Sequence, residues 1–312
     1  MKSVSSEIKE LLIAQKTEWE LAGKNFTGLA NVQLREFAYD GFTIKVQFNP
    51  GRIVSSAAKV DQKSIEKRPC FLCETNRPKE QRGVALENYQ ILVNPFPIFP
   101  EHFTIPTNAH TPQLISGNFG EMLDIARVMT GFTVFYNGPK CGASAPDHFH
   151  FQAGNSSFIP IDNEIDLLKE KYGEKLLTED VDGWAVKDGV RNFIVLESAV
   201  KSALEANFEM IYKALDENPG EEPMMNMLVS FEKGAWRILL FPRALHRPSQ
   251  YFEEGEKNIL LSPASVDMGG VLITPLEKDF KKITKEDIDD ILRQVLLSAK
   301  EFDKLIKLIN TN

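Results

Sequence analysis

The residues best suited to chemistry lie in one short stretch where two histidines and a glutamine alternate with two phenylalanines. In an extended strand, side chains two residues apart share one face, so His148, His150 and Gln152 should project together. Phe149 and Phe151 would then point to the opposite face and anchor the strand in a core. The spacing therefore predicts a strand that presents three polar groups over an aromatic base. The alternative is that the histidines are ordinary core or surface residues.

An imidazole and an amide in this arrangement suit group transfer at phosphorus. A neutral imidazole such as that of His150 can attack phosphorus, and the resulting phosphoramidate passes the group on readily. Gln152 can donate a hydrogen bond to a phosphate oxygen, where charge builds during displacement. The backbone near Gly142 and the hydroxyl of Ser144, in the run of small residues upstream, can do the same. The chain has no Walker-type loop, no G-x-G-x-x-G fingerprint and no G-x-S-x-G elbow, which argues against kinases, dehydrogenases and serine hydrolases.

Two cysteines and two histidines of the first half have the composition of a metal site. Cys70 and Cys73 are separated by two residues, and His110 and His148 follow them in the chain. Zinc favours four nitrogen and sulfur ligands, and four protein ligands leave no open position for water. These residues therefore predict a structural zinc site. The alternatives are two reduced, buried cysteines or a redox pair, for which the strand-to-helix setting is missing here.

The composition is that of an ordinary folded protein. Of 312 residues, 43% are hydrophobic and 26% are charged, and the formal net charge is −8. This acidic balance, without a block of Lys or Arg, argues against a nucleic-acid partner. The sequence begins without an apolar leader and contains no apolar run of membrane-spanning length, so we expect a cytoplasmic protein with no membrane partner. Three cysteines do not form a disulfide framework, which agrees with a reducing compartment.

The elements that must position these residues predict an α+β fold of two halves, residues 1–175 and 176–312. In the first half, alternating and apolar segments predict an antiparallel sheet with helices beside it. The predicted helices are Ser6–Ala22 and one that is capped by Asn118 and runs to Met129. The predicted strands are Asn31–Phe37, Phe42–Phe48, Tyr89–Asn94, Phe103–Pro106 and Phe132–Tyr136, followed by the strand that carries the histidines.

The second half repeats a loose pattern of hairpin and helix. Its predicted elements are a helix at Ala199–Leu215 and strands at Asn192–Glu197, Met227–Phe231, Ala235–Phe241, Asn258–Ser262 and Gly270–Thr274. One long C-terminal helix is predicted from a capping box of Thr284 and Asp287 through an apolar stripe that ends at Ile309. The stripe serves either the core or a homodimer interface, and the sequence leaves both open.

Several of these motifs together resemble one protein family. His148–Gln152 resembles the His-x-His-x-Gln motif of the nucleotidyltransferase branch of the histidine-triad (HIT) superfamily, which includes galactose-1-phosphate uridylyltransferases, diadenosine tetraphosphate phosphorylases and GDP-hexose phosphorylases. Cys70–Asn76 is similar to the zinc-binding segment of the uridylyltransferases, and Asn94–Pro97 and Gly142–Ser144 are similar to their nucleoside- and phosphate-binding segments. Met227–Gly270 is similar to the C-terminal domain of the diadenosine tetraphosphate phosphorylases (ATP adenylyltransferases). The resemblance implies a HIT-like fold of two related halves, each an antiparallel sheet with helices.

The resemblance also implies a role for each matching residue. His150 would carry a covalent nucleotidyl group, Gln152 would steady it, and His148 would be a zinc ligand or an orienting residue. Nucleotide and phosphate contacts are implied for Arg52, Arg77, Asn94, Phe96, Asn137, Gly142 and Ser144. His246 and Arg247 either approach the second substrate or form a solvated surface turn.

The expected activity is nucleotidyl transfer in two steps. An NDP-sugar or a dinucleoside polyphosphate would donate its nucleotide to His150, and inorganic phosphate or a sugar 1-phosphate would accept it. We therefore predict a nucleotidyltransferase or phosphorylase with a structural zinc ion, acting on these small substrates and able to form a homodimer. The alternatives are a hydrolase of the same substrates, which glutamine at the third histidine position argues against, and a non-catalytic nucleotide- or zinc-binding protein.

Overall fold

The chain folds around one large antiparallel sheet, and the computed structural model describes residues 3–53, 61–216 and 221–311. The strands are β1 (Gln33–Ala38), β2 (Thr43–Phe48), β3 (Gly83–Leu86), β4 (Tyr89–Val93), β5 (His102–Pro106), β6 (Phe132–Asn137), β7 (His150–Asn155), β8 (Gly173–Lys175), β9 (Asp182–Lys187), β10 (Asn192–Ser198), β11 (Met225–Glu232), β12 (Ala235–Pro242) and β13 (Val271–Thr274). Ten of them form the large sheet in the order β3-β4-β5-β7-β6-β11-β12-β10-β9-β8. In the small sheet, β2 pairs antiparallel with β1 and parallel with β13. The predicted α+β class is confirmed.

Helices cover both faces of the large sheet. Those within the described residues are α1 (Val4–Glu18), α2 (Glu20–Gly28), α3 (Gln62–Glu66), α4 (Phe119–Val128), α5 (Ile161–Tyr172), α6 (Lys201–Leu215), α7 (Ser265–Met268), α8 (Glu277–Lys282), α9 (Lys285–Val295) and α10 (Ala299–Ile309). Helices α1, α2, α4, α6 and α10 bury apolar side chains in one core, whereas α5, α7, α8, α9 and the small sheet form a second core. None of these described helices is long and apolar enough to cross a membrane.

Strand β7 carries His150, the candidate nucleophile, and lies between β5 and β6 in the large sheet. It pairs with β5 and β6, so that Gln152 lies opposite Thr104 on one side and Phe135 on the other. Phe151 is fully buried in the first core, while His150 and Gln152 line a cavity on the other face. The predicted alternation is therefore confirmed from the start of β7 onward.

The first histidine of the motif lies outside the strand, which corrects the predicted strand boundary. β7 begins at His150, and the backbone N–H of His148 bonds the carbonyl of Ala145 in a turn rather than a neighbouring strand. The turn directs the side chain of His148 towards Cys70 and Cys73 instead of into the cavity.

The two halves share the large sheet without a break. β6 of the first half pairs with β11 of the second, with Val134 opposite Val229. β13, also from the second half, completes the small sheet of the first half. The boundary at residue 175 stays a prediction, and β8, which ends there, pairs with β9 beyond it.

The largest differences between the predicted elements and the structure concern two helices and one strand. The first helix begins at Val4 with Ser3 as its N-cap and ends at Glu18. The C-terminal helix is two helices, because the chain leaves helical geometry after Val295 and Ser298 caps α10. Residues Asn258–Ser262 form no strand. The apolar faces of α9 and α10 are buried within this chain, so the stripe is core, and a homodimer stays a prediction.

Glu222 is a buried carboxyl that joins the second half to the first. Its oxygens accept hydrogen bonds from the hydroxyl of Tyr136 and from the backbone N–H of Ile115. Burial raises the pKa of Glu222 from 4.5 to about 7, although these hydrogen bonds oppose the shift. Between those two values the folded state holds more protons than the unfolded state.

The free energy of unfolding should therefore fall as the pH rises from about 4.5 to 7, by on the order of 2 kcal/mol from this group. A Glu222→Gln variant, which cannot titrate, should lack this part of the slope. Urea denaturation of both proteins at several pH values in this range measures the difference between them. Other carboxyl groups contribute equally to both proteins, so parallel pH profiles would contradict a raised pKa for Glu222.

Candidate active site

One cavity of about 550 Å³ opens beside the N-terminal end of β7. Its walls come from both halves: the segment that follows β4, strands β6 and β7, the loop before α7, and α7 itself. Eight residues predicted to act on substrate line it: Arg52, Asn94, Phe96, Asn137, Gly142, Ser144, His150 and Gln152. His246 and Arg247, for which the sequence left both a substrate contact and a surface turn open, line it as well. Arg77 lies outside the cavity, where its guanidinium donates to the side-chain oxygen of Gln90 at 2.9 Å.

His150 is held so that one ring nitrogen is bonded within the protein. Nδ1 lies 2.8 Å from the carbonyl oxygen of His148, which only accepts, so Nδ1 carries the proton and donates it. Burial lowers the pKa of His150 to about 4, so the ring is neutral near pH 7. Nε2 then carries a lone pair, and the described residues offer it no hydrogen-bond partner.

Gln113, which the sequence did not single out, holds the backbone of His150. Its side-chain oxygen accepts the N–H of His150 at 2.8 Å, and its amide nitrogen donates to the carbonyl of His150 at 2.9 Å. Gln113 is fully buried. Pro106 of β5 lies opposite His150 on one side, and this paired contact takes the place of a strand partner on the other, where it limits movement of the imidazole.

Three guanidinium groups give the cavity a positive lining. Arg52 donates to the carbonyl of Phe96 at 2.7 Å, and although burial lowers its pKa to about 10, it stays charged near pH 7. Arg68 was missed by the sequence analysis and donates to the carbonyl of Ser144 at 2.9 Å. Arg247 donates from Nε to Ser262 at 3.1 Å. With the apolar side chains between them, this lining suits a molecule that has both phosphates and a base.

A buried polar network behind the cavity ties the two halves together. Oδ1 of Asn137 accepts from the backbone N–H and hydroxyl of Ser265 and from the amide of Asn226. Arg243 donates to Asn226 and to the carbonyls of Pro263, Leu245 and His246, so it anchors two cavity loops at once. No local sequence pattern marks Asn226, Arg243 or Ser265 for this role, because their partners are distant in the chain.

The four residues Cys70, Cys73, His110 and His148 form one cluster, here called the cysteine–histidine cluster. Their ligand atoms all lie within 4.8 Å of one another. Nδ1 of His148 is 3.3 Å from Sγ of Cys70 and 3.5 Å from Sγ of Cys73, and Nδ1 of His110 is 3.2 Å from Sγ of Cys73. All four residues are the metal ligands predicted from the sequence, and the structure brings them together.

The cluster fits a tetrahedral metal ion. Bonds of about 2.3 Å to sulfur and 2.0–2.1 Å to nitrogen place neighbouring ligand atoms about 3.5 Å apart, close to the distances found here. Nε2 of His148 lies 2.9 Å from the carbonyl of Thr107, so it is protonated and Nδ1 presents its lone pair to the two sulfurs. Nε2 of His110 faces a carboxylate oxygen of Asp147 at 3.8 Å. The cluster can therefore bind a metal.

Comparisons with known proteins show which families each part of the chain resembles. Residues 11–155 match the family described as "Domain of unknown function (DUF4922)", and residues 186–312 match the "GDPGP1-like, C-terminal domain". Protein APA1 of Saccharomyces cerevisiae is 24% identical over 236 residues, which cover 67% of this chain and 69% of that protein.

Solved structures agree on the fold. The structure of yeast Ap4A phosphorylase Apa2 in complex with Ap4A superimposes with a TM-score of 0.58 at 18% identity, over 90% of this chain and 97% of that one. The structure of the same protein in complex with AMP gives a TM-score of 0.58 at 17% identity, with the same coverage. The fold is thus HIT-like, as predicted. The chain is similar to proteins of the nucleotidyltransferase branch of the histidine-triad superfamily.

Proposed function

We propose that the protein is a nucleotidyltransferase or phosphorylase that works through a nucleotidyl intermediate on His150. The donor is an NDP-sugar or a dinucleoside polyphosphate, and the acceptor is inorganic phosphate or a sugar 1-phosphate. The observation that carries the proposal is the imidazole of His150, whose Nδ1 is bonded to the carbonyl of His148 while its Nε2, beside the cavity, has no hydrogen-bond partner among the residues that the structure describes.

In the first step, Nε2 of His150 attacks the α-phosphorus of the donor. A P–N bond forms, and the bond from phosphorus to the bridging oxygen of the leaving phosphate breaks, with its electron pair staying on that oxygen. The proton on Nδ1 stays in place, and the carbonyl of His148 stabilises the cationic ring through its hydrogen bond. Gln152, Arg52 and Arg247 line the same cavity and can hold phosphate oxygens.

In the second step, an oxygen of the acceptor phosphate attacks the same phosphorus. The P–N bond breaks and its electron pair returns to Nε2, so the ring is neutral again. A phosphate acceptor gives a nucleoside diphosphate, whereas a sugar 1-phosphate gives a new NDP-sugar. We favour the phosphorylase because the chain is similar in fold to a yeast Ap4A phosphorylase.

We also propose zinc as the metal of the cysteine–histidine cluster. Four protein ligands leave no open position, so the metal would be structural and would supply no reacting group. His148 is both a ligand candidate and the residue whose carbonyl holds the ring of His150. Binding at the cluster would therefore fix the carbonyl that orients the nucleophile.

A substrate panel tests the proposed function. The purified protein is incubated with Ap4A and several NDP-sugars, each without an acceptor, with inorganic phosphate and with a sugar 1-phosphate, and the products are separated. We expect a nucleoside diphosphate to form from at least one donor only when phosphate is present. Release of a nucleoside monophosphate without phosphate would instead identify a hydrolase. Nucleotide binding without any product would identify a non-catalytic binding protein.

A further inference from the structure

The amide of Gln152 offers a substrate either a donor or an acceptor, depending on its orientation. Its oxygen and its NH2 group lie at the end of the same side chain, and a rotation of about 180° exchanges them. Gln152 lines the cavity together with His150. Contact with a phosphate oxygen requires the NH2 group to face the cavity, so neighbouring groups must hold the amide in that one orientation.

His102 is a fully buried histidine on β5 that touches this amide. Its Nδ1 accepts the backbone N–H of Ile98 at 3.1 Å, so the single proton of the neutral ring is on Nε2. Burial and the nearby guanidinium of Arg52 lower the pKa of His102 to about 3, which keeps the ring neutral. Nε2 lies 3.1 Å from Oε1 of Gln152 and therefore donates to it.

Asn94 supports the same orientation from a second side. Its own oxygen accepts the backbone N–H of Phe96 at 2.9 Å, so its NH2 group must point the other way. That group donates to Thr104 at 3.0 Å and to Oε1 of Gln152 at 3.3 Å. Two donors, each fixed by a backbone N–H of one loop, therefore converge on the oxygen of Gln152.

We propose that His102 is a positioning residue that holds the NH2 group of Gln152 towards the cavity, as a donor to the transferred phosphoryl group. A flipped amide would place its NH2 group against the N–H of His102. His102 cannot relieve that contact by moving its proton to Nδ1, because Nδ1 accepts the N–H of Ile98. The flipped state therefore leaves donors facing donors in a buried place. The inference rests on the proposed function for its consequence, although not for the orientation itself.

A matched pair of variants separates this role from simple support of the loop. An asparagine amide reaches about as far as Nδ1, so His102→Asn can keep the contact with Ile98 and loses the donor to Gln152. A glutamine amide reaches about as far as Nε2, so His102→Gln can keep the donor to Gln152. We expect the rate of nucleotidyl transfer to His150 from α-32P-labelled Ap4A or GDP-hexose to fall roughly 10- to 100-fold in His102→Asn. The rate in His102→Gln should stay within about fivefold of the parent rate. In both variants the KM for the nucleotide donor should change little.

The pair is then repeated in a Gln152→Ala background. If His102 acts through Gln152, His102→Asn should slow that protein by less than about twofold further. The opposite order of the two variants, or equal losses with and without Gln152, would show that His102 only supports the loop and would overturn the inference. A parent protein that never takes up label would count against the proposed function instead.

The orientation itself has a readout that needs no turnover. The side-chain NH2 resonances of Gln152 are assigned in 15N-labelled protein by their loss in Gln152→Ala, and they are recorded with AMP and inorganic phosphate present. We expect them to move in His102→Asn, because the oxygen of the amide loses its donor, and to stay near the parent positions in His102→Gln. Unchanged resonances in His102→Asn would overturn the inference whether or not the protein transfers nucleotides.

Discussion

Replacing His150 by asparagine should reduce nucleotidyl transfer by at least about 10⁴-fold, because the variant has no nitrogen at the attacking position. The asparagine NH2 group can still donate to the carbonyl of His148 in place of Nδ1, which preserves the contact seen in the structure. The measurement is acid-labile label on the protein after incubation with α-32P-labelled donor, together with the steady-state rate.

His246 supplies the matched control for this prediction. It is a second histidine that lines the same cavity, in a loop of the second half held by Arg243. His246→Asn should still form the labelled intermediate, even if transfer to the acceptor becomes slower. Label that persists in a folded His150→Asn protein would remove His150 as the nucleophile. Label lost equally in both variants would point to a binding defect of the cavity.

Loss of one ligand from the cysteine–histidine cluster should remove the metal and lower the thermal midpoint by about 10 °C. The four ligands come from segments that are distant in the chain and meet only when it is folded. A bound metal therefore stabilises the folded state and not the unfolded state. Elemental analysis should give about one zinc per chain in the parent and almost none in Cys70→Ser. Activity should fall as well, since His148 holds the ring of His150.

Cys141 provides the control for the cluster. It is fully buried but does not belong to the cluster, so Cys141→Ala should keep the metal and most of the thermal stability. A strong chelator should lower the midpoint of the parent protein and leave that of Cys70→Ser unchanged. A parent protein that carries no metal and ignores the chelator would contradict the zinc assignment, and it would leave the cluster as two reduced cysteines beside two histidines.

Strands and helices were predictable where the order of apolar and polar residues within the segment determines them. The alternation of His150, Phe151 and Gln152 indicated which side chains meet the core and which meet the cavity, because successive strand residues face opposite sides. The pairing of β11 with β12 followed from two apolar runs around a short polar turn. The C-terminal helix was wrong as a single element because its apolar period continues across the break at Leu296–Ser298.

His102 is a residue whose role the sequence does not reveal. The sequence marks it only as one histidine at the start of a strand, and its partners are a backbone N–H four residues earlier and Gln152 fifty residues later. Arg77 shows the reverse case, since its motif suggests phosphate contact while its side chain bonds Gln90 outside the cavity. Hydrogen-bond partners of this kind depend on how distant segments pack, which no local spacing records.

The amino-acid sequence by itself determined the chemistry that is available: an imidazole and an amide on one strand face, and two cysteines at a separation typical of metal sites. These features follow from the residue types and from the geometry of a short segment, so they can be recognised from neighbouring residues alone. Only the tertiary structure decided that His148 turns to the cysteines while His150 faces the cavity, and that loops of the second half close that cavity. The closing of the cavity by the second half depends on one sheet continuing from β6 to β11, and long-range pairing of that kind is set by the packing of the whole chain.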